Sequence, residues 1–259
     1  MTQKPFILLT GDDSVRAEGL ILVKRVVEKF ADFQIIATLN QSSGAGAGIT
    51  LNGGDWGKEN VDGHEAIWVG GKPSDAVFFA FDYLDQKPDL VISGINYGAN
   101  LQNDSYISGT IGATLCAAQS HKIPSIAFSW DMHSKNWQKD HDGGFDNSLL
   151  IYPGNLCERI IKNALEYKIP ERNFWMVNFP ENPTSTIKLV RTNEAGFYPN
   201  GQIIQKGKYI YENKIVRTGW EDGTDAGELS KGFATITPCK IEFTNSQELE
   251  KIKDLRIFD

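Results

Sequence analysis

The sequence predicts an α/β protein in which helices cover both faces of a mostly parallel, doubly wound sheet. Short apolar segments alternate with segments of helical periodicity through the first half of the chain, and this alternation is typical of parallel sheets buried between helices. The chain has 259 residues, a length that favours one large domain over residues 1–259 with an appended hairpin or subdomain. Because ligands of doubly wound sheets collect at the carboxyl ends of the strands, we expect the functional site there.

The first strand is predicted at residues 6–10, and a helix follows over 17–30. Apolar residues of that helix, such as Val23, Val26 and Val27, recur at helical spacing. The same reasoning predicts strands at 33–37, 66–69, 90–93 and 124–129, a helix from an N-cap at Ser74 to Tyr83, and a helix over 109–119.

The second half of the chain shows a less regular pattern. It predicts helices at 156–166, 224–231 and 247–253 and strands at 174–179 and 233–237. A two-stranded pattern over 203–216, with its turn at Glu212-Asn213, predicts a protruding hairpin. Apolar residues such as Ile203 and Val216 have no obvious core of their own there, and an isolated hairpin is marginal in water. We therefore expect it to pack on another subunit of a homo-oligomer.

Composition narrows the class of function. Lys and Arg number 26 against 33 Asp and Glu, so the formal net charge is −7, which disfavours binding to nucleic-acid duplexes. No apolar segment approaches the length of a membrane span or a signal-peptide core. The cysteines Cys116, Cys157 and Cys239 form no CxxC pair, which argues against a disulfide framework or a zinc site. We expect a cytoplasmic protein without membrane association, whose partner is a small molecule.

An aspartate pair, Asp12-Asp13, follows the first predicted strand. Two adjacent carboxylates at a strand end concentrate negative charge, and a hard cation with oxygen ligands, such as Mg²⁺ or Mn²⁺, commonly offsets it. The alternative is a cap for the following helix, since Asp is favoured before a helix N-terminus. The pair alone leaves both roles open.

A loop rich in glycine and serine covers residues 40–48, after the second predicted strand. The backbone N–H groups of such a loop can approach an anion, and a serine hydroxyl can bind a metal. A GxGxxG dinucleotide motif does not fit, because Ile49 and Leu51 fall where its third glycine would be. An ordinary flexible loop is the alternative.

Two asparagines, Asn96 and Asn100, follow the strand predicted at 90–93, and Ser108-Gly109-Thr110 opens the next helix. A helix N-terminus offers free N–H groups and a positive dipole end, which favour an anion. The alternative is a pair of turns in which the polar residues serve as caps.

In their order along the chain, these segments resemble the SurE family of survival proteins, or 5′-nucleotidases. The family pattern has Asn-Asp-Asp after the first strand, a Ser-Gly-Ala loop after the second, and then Ser-Gly-Ile-Asn-x-Gly-x-Asn and Ser-Gly-Thr. Further matches occur at Pro73-Ser74-Asp75, at Gly223-Thr224-Asp225 and over 232–238. The resemblance extends from residue 6 to about residue 238 and implies a three-layer α/β/α sandwich with a protruding hairpin and a C-terminal extension.

The resemblance also implies an activity and a site. The activity is that of a metal-dependent phosphatase that hydrolyses nucleoside 5′-monophosphates, with breadth toward small phosphate esters or polyphosphate. It further implies a homodimer formed through an exchanged arm, or a homotetramer. The implied residues are Asp12, Asp13, Ser43 and Asn96 as ligands of one Mg²⁺ or Mn²⁺ ion, Asn100, Ser108, Gly109 and Thr110 around the phosphate, and Asp12, Asp13 and Asn100 in catalysis.

The chain departs from the family pattern at several positions. Gly11 stands where an asparagine precedes the aspartates, Gly46 and Gly48 stand where serines are usual, and Ile107 replaces an aromatic residue. Glycine at position 11 offers only backbone beside the carboxylates, and a positive φ there would make an asparagine costly. A catalytically weak, nucleotide-binding or sensing protein of the same fold is therefore the alternative function.

Overall fold

The structure, a computed structural model, describes most of the chain. The described residues are 4–132, 145–184, 186–193, 198–205, 207–216 and 220–253, with the backbone alone described over 198–205 and 208–216. The strands are β1 Phe6–Thr10, β2 Asp32–Thr38, β3 Trp56–Val61, β4 His64–Val69, β5 Leu90–Tyr97, β6 Ser125–Asp131, β7 Asn173–Pro180, β8 Ile187–Leu189, β9 Tyr198–Gln205, β10 Lys208–Val216 and β11 Ala234–Lys240. The helices are α1 Glu18–Val27, α2 Pro73–Tyr83, α3 Gly109–Ser120, α4 Asn155–Tyr167, α5 Asp225–Ser230 and α6 Ser246–Ile252.

Nine strands form one mostly parallel sheet, in the order β3-β4-β2-β1-β5-β6-β7-β11-β8. The β3–β4 and β7–β11 pairs are antiparallel, and the other neighbours in the sheet are parallel. Helices α1 and α4 pack on one face, and α2 and α3 pack on the other. The predicted three-layer α/β/α sandwich is confirmed.

Strand β1 shows how the sequence produces the three layers. Ile7 and Leu9 belong to the core beneath α1 and α4, whereas Leu8 belongs to the core beneath α2 and α3. Successive side chains of a strand point to opposite faces, so a strand covered on both faces is apolar throughout. Burying each of these fully covered side chains contributes about 1.5–3 kcal/mol.

The carboxyl end of β1 is a topological switch point. β1 lies between β2 and β5, so the chain leaves it to one side and later returns on the other. The connections after neighbouring strands diverge at such a point and leave a crevice between them. Residues 11–14, which directly follow β1, therefore lie where a doubly wound fold binds its ligands.

The predicted elements are confirmed with small shifts in their ends, but β3 and β8 were not predicted. β3 forms a hairpin with β4 around Asp62 and Gly63, whose φ values are +50° and +77°. The prediction that Ser74 is the N-cap of α2 is wrong. The helix begins at Pro73, and the Lys72 N–H before it donates a 2.7 Å hydrogen bond to Asp75 Oδ2.

The predicted hairpin corresponds to a separate two-stranded sheet of β9 and β10. Its turn is not at Glu212-Asn213, because the strands meet where Gln205 pairs with Lys208, and Gly207 has a φ of +82°. Glycine supplies such a conformation without steric cost. The two polar residues lie in β10, where the register shifts between Tyr211 and Lys214. The apolar side chains of this hairpin, including Ile203 and Val216, lie outside the described side chains.

Two further expectations bear on the class of protein. The cysteines are free thiols, with Cys116 and Cys157 buried and Cys239 partly buried. Within the described ranges, no helix combines the length and the apolar character needed to cross a membrane.

Candidate active site

The candidate site begins at the turn that follows β1. Asp12 is only 3% exposed, and Asp13 is partly buried. The Ser42 N–H donates a 2.7 Å hydrogen bond to the backbone carbonyl of Asp12, which ties the glycine-rich loop to this turn. Ser14 has a φ of +102°, a value that residues with side chains rarely adopt. The turn is therefore fixed by its surroundings.

Asp12 joins the end of β1 to the start of α3. The Thr110 hydroxyl donates a 2.5 Å hydrogen bond to Asp12 Oδ1. A Cβ at Gly109 would lie 2.8 Å from Asp12 Oδ2, so glycine is required for the helix to start this close to the carboxylate. Burial, and then the charge of Asp13, raises the pKa of Asp12 to about 7, although the Thr110 hydrogen bond acts in the opposite direction.

The alternative role for the aspartates, as a cap on the helix that follows, is wrong for α1. That helix begins at Glu18, and its N-cap residue Ala17 offers no side-chain cap. Asp12 instead contacts the first turn of α3, 98 residues further along the chain. The carboxylate thus lies at the positive end of α3, a helix that is distant from Asp12 in the sequence.

Asp13 is tied to the end of β5. Its Oδ2 accepts a 2.9 Å hydrogen bond from the Tyr97 N–H, and its Oδ1 accepts a 3.4 Å hydrogen bond from Gln41 Nε2. Burial raises the pKa of Asp13. The neighbouring Asn96 donates from Nδ2 to the carbonyls of Tyr97 and Gly98, at 3.1 and 2.8 Å, which leaves its Oδ1 as the atom suited to a cation.

The glycine-rich loop packs against α3 rather than standing free. The Gly46 N–H donates a 2.9 Å hydrogen bond to Ile107 O, and a Cβ at Gly112 would lie 2.0 Å from Gly46 O. Ser43, the remaining predicted ligand, is exposed and directly follows the anchored Ser42. The loop is thus fixed before its glycines, at Ser42, and among them, at Gly46.

A lysine that the sequence analysis did not single out lies beside this loop. A Cβ at Gly48 would be 3.1 Å from Lys72 Nζ, so the glycine leaves room for the ammonium group. The available signal was the position of Lys72 directly before Pro73-Ser74-Asp75. Its ammonium group places a positive charge beside the glycine-rich loop.

The donor set fits a hard divalent cation. In the part of the chain that the structure describes, no three His, Cys, Asp or Glu side chains come together as a metal cluster. The carboxylates of Asp12 and Asp13, with the neutral oxygens of Ser43 and Asn96 that the resemblance implies, would form an all-oxygen set, which suits Mg²⁺ or Mn²⁺ better than Zn²⁺. Both carboxylates have raised pKa values because of burial, and a cation between them would stabilise their charged forms.

The residues predicted around the phosphate have partners within the protein. Ser108 caps α3, since its Oγ accepts a 3.2 Å hydrogen bond from the Ile111 N–H. The Thr110 hydroxyl holds Asp12, and Gly109 lies against the same carboxylate. The capping role weighed for this segment is therefore present, and an anion would meet chiefly the backbone of the helix start.

Asn100 is 8% exposed and lies beyond β5. Its Nδ2 donates a 2.8 Å hydrogen bond to Ser129 Oγ, and its backbone pairs with the side chain of Asn178. Sequence reasoning missed Ser129 and Asn178. The signal it could have used is the occurrence of a polar residue inside an otherwise apolar strand, because buried polar groups normally have a specific partner.

Gly11 does not have a positive φ, so the conformational objection to an asparagine at this position does not apply. A Cβ built there would lie 3.6 Å from Gly94 N, which is ordinary van der Waals contact. The backbone therefore tolerates a Cβ at this buried position.

The fold and the site define a three-layer α/β protein with a carboxylate-lined, cation-compatible site at its topological switch point. The chain belongs to the SurE family: the family model described as Survival protein SurE matches residues 7–198.

Its relatives align with it over most of their length. A protein named 5′-nucleotidase SurE from Methanoculleus marisnigri is 31% identical over 266 residues, which cover 99% of this chain and 98% of that protein. Another of the same name, from Methanothermobacter thermautotrophicus, is 35% identical over 229 residues and covers 85% of this chain and 83% of its own. The crystal structure of the SurE protein from Aquifex aeolicus superposes with a TM-score of 0.77 at 27% identity, over 96% of this chain and 98% of that one.

Proposed function

We propose that the chain is a divalent-metal-dependent phosphatase that converts nucleoside 5′-monophosphates to nucleoside and phosphate, and that it also accepts small phosphate esters or polyphosphate. The observation that carries the proposal is the buried aspartate pair at the switch point, with Asp12 held by Thr110 at 2.5 Å. The names of the relatives support the same activity. The whole of residues 1–259 would form one catalytic domain, acting in the cytoplasm.

Asp12, Asp13, Ser43 and Asn96 would hold one Mg²⁺ or Mn²⁺ ion. When bound, such an ion polarises a phosphoryl oxygen and activates water. The residues of the chain supply the rest: they hold the substrate, orient the attacking group and accept its proton.

The contacts of these residues support the roles that we propose for them. The start of α3, at Ser108, Gly109 and Thr110, offers backbone N–H groups and a positive dipole end to the phosphate. Asn100 has a second Nδ2 hydrogen beyond the one given to Ser129, and this hydrogen would stabilise charge that develops on the phosphoryl oxygens. Asp12 would orient or deprotonate an attacking water; its pKa of about 7 belongs to the metal-free protein, and a bound ion would lower it.

Direct attack by a carboxylate of the aspartate pair is the alternative to a water nucleophile. It would produce a phosphorylated enzyme, whereas attack by water would not. Acid quenching during turnover of a radiolabelled substrate distinguishes the two. Label retained on the protein in wild type and lost in an Asp12→Asn variant would replace the role of Asp12 as a base with that of a nucleophile.

The activity is tested by measuring phosphate release from nucleotides, phosphosugars and polyphosphate with Mg²⁺, with Mn²⁺ and with a chelator. We expect hydrolysis that requires the ion and is abolished by Asp12→Ala. Asp13→Asn should lower it, since the change removes one charge from the ion's surroundings. Phosphate release by metal-free Asp12→Ala at the wild-type rate would contradict the proposed site.

A nucleotide-binding protein with weak catalysis is a second candidate, and Gly11 favours it. The position lacks the asparagine of the family pattern, and loss of one such oriented group near a metal commonly costs about 10-fold to 100-fold in activity or metal affinity. Because a Cβ at Gly11 meets only ordinary contacts, we expect the Gly11→Asn variant to fold and to gain turnover. A stable variant whose kcat/KM is unchanged or lower would show that the glycine is not a lost catalytic support, and nucleotide affinity without phosphate release would favour the second candidate.

A further inference from the structure

Asn100 is held through its backbone by one buried side chain. The Asn100 N–H donates a 2.9 Å hydrogen bond to Asn178 Oδ1, and Asn178 Nδ2 donates a 2.9 Å hydrogen bond to Asn100 O. The side-chain amide of Asn178, which is 1% exposed, thus pairs with both polar groups of one residue, as a neighbouring strand would. This pairing fixes the position and the direction of the Asn100 backbone.

The side chain of Asn100 is held separately. Its Nδ2 donates a 2.8 Å hydrogen bond to the Oγ of Ser129, a residue that is 1% exposed on β6. Ser129 and Asn178 are register partners in the β6–β7 pair. One point of the sheet therefore orients both the backbone and the amide group of Asn100.

The same segment has a second anchor beyond Asn100. The Gln102 N–H donates a 2.9 Å hydrogen bond to Asp225 Oδ2, and the Ala226 N–H donates a 2.8 Å hydrogen bond to Asp225 Oδ1. Asp225 is fully buried. A carboxylate of α5 thereby fixes the chain two residues after Asn100.

Burying polar side chains within an apolar sheet has a cost that only complete hydrogen bonding offsets. Ser129 and Asn178 are buried in this way, and the hydrogen bonds that offset the cost join both side chains to Asn100, the residue proposed to meet the phosphate. We propose that Ser129 and Asn178 are positioning residues for catalysis, which act by holding the free amide hydrogen of Asn100 toward the substrate. This inference rests on the proposed phosphatase function.

The kinetic test uses Ser129→Ala with Ser125→Ala as its matched control. Ser125 is buried on the same strand, and its hydroxyl donates a single 2.9 Å hydrogen bond to Thr114 O. We expect Ser129→Ala to lower kcat roughly tenfold with little change in KM, because misplacing a group that acts in the transition state affects kcat and kcat/KM alike. Ser125→Ala should keep the wild-type kcat.

A double-mutant cycle shows whether Ser129 acts through Asn100. In an Asn100→Ala background the serine has no amide to hold, so adding Ser129→Ala should lower kcat no further. An equal loss in both backgrounds, a wild-type kcat for Ser129→Ala, or the same loss in Ser125→Ala would overturn the inference.

Amide hydrogen exchange tests the pairing of Asn178 with the Asn100 backbone, and it does not require an activity assay. In Asn178→Ala we expect the protection of the Asn100 N–H to fall roughly tenfold, while the amides of Leu8 and Leu9 keep theirs, because only the local pairing is lost. Unchanged protection at Asn100 would overturn the inference. A wild-type protein that releases phosphate from no ester would refute the proposed function instead, and the exchange result would still decide whether Asn178 holds Asn100.

Discussion

Replacing Thr110 with valine should weaken metal binding, and most strongly at low pH. Valine closely matches the shape of threonine at this fully buried position, so the main loss is the hydrogen bond to Asp12. That bond to a carboxylate contributes about 1.5–3 kcal/mol, and one unit of pKa corresponds to about 1.36 kcal/mol. The change should therefore raise the pKa of Asp12 from about 7 by about 1–2 units.

The effect on the ion follows because protons and cations compete for the same carboxylate. With the pKa raised by about 1–2 units, the deprotonated fraction of Asp12 at about pH 7 falls about fivefold to fiftyfold, but at most about twofold at about pH 9. Calorimetric titration with Mn²⁺ across this range should show the same trend in Kd, and Thr110→Ser, which keeps the hydroxyl, should resemble wild type. A Thr110→Val protein with wild-type affinity near neutral pH, or with a loss that does not depend on pH, would refute the reasoning.

Three other predictions concern stability and assembly. In metal-free protein the raised pKa of Asp12 means that the folded state binds a proton more tightly than the unfolded state, so the free energy of unfolding should fall as pH rises from about 4 to about 7. Urea titrations of Asp12→Asn should show a smaller fall, because the pKa of Asp13 is also raised by burial and still contributes. Asp62 accepts hydrogen bonds from Arg25 and Lys24 in a largely buried site, so Asp62→Asn should lower the free energy of unfolding by about 1–3 kcal/mol, and a change below a few tenths would contradict this. The hairpin of β9 and β10 should make the chain a dimer or tetramer in light scattering, and a monomer at micromolar concentration would exclude that role.

The regular elements could be predicted because local periodicity determines them, and the errors arose at turns. The sequence Asp62-Gly63 is a strong hairpin signal, and reading it would have predicted β3. At the second hairpin, polar residues at Glu212-Asn213 were taken for the turn, although Gly207 is the residue with positive φ. A glycine outweighs a pair of polar residues there because it adopts that backbone conformation without steric cost.

The site was predictable only in part, because its contacts join distant segments. Asp12 and Asp13 stand out as adjacent carboxylates at a strand end, which is a local signal. Their partners are remote: Thr110 lies 98 residues from Asp12, and Tyr97 lies 84 residues from Asp13. Asn178 is 78 residues from Asn100, and no spacing rule relates two segments that meet only when the sheet is assembled.

The glycines of the site have a structural role that the sequence motif did not indicate. The glycines of the loop at 40–48 were expected to bring backbone N–H groups to an anion. At Gly109 and Gly112 the missing side chain has another effect: it lets α3 approach Asp12 and the carbonyl of Gly46, from which a Cβ would be 2.8 and 2.0 Å away. Close packing of this kind fixes the loop, the helix start and the carboxylate relative to one another. The packing of the helix layer against the sheet therefore also keeps Asp12 buried, and burial raises its pKa. A bound cation would offset the free-energy cost of ionising this buried carboxyl group.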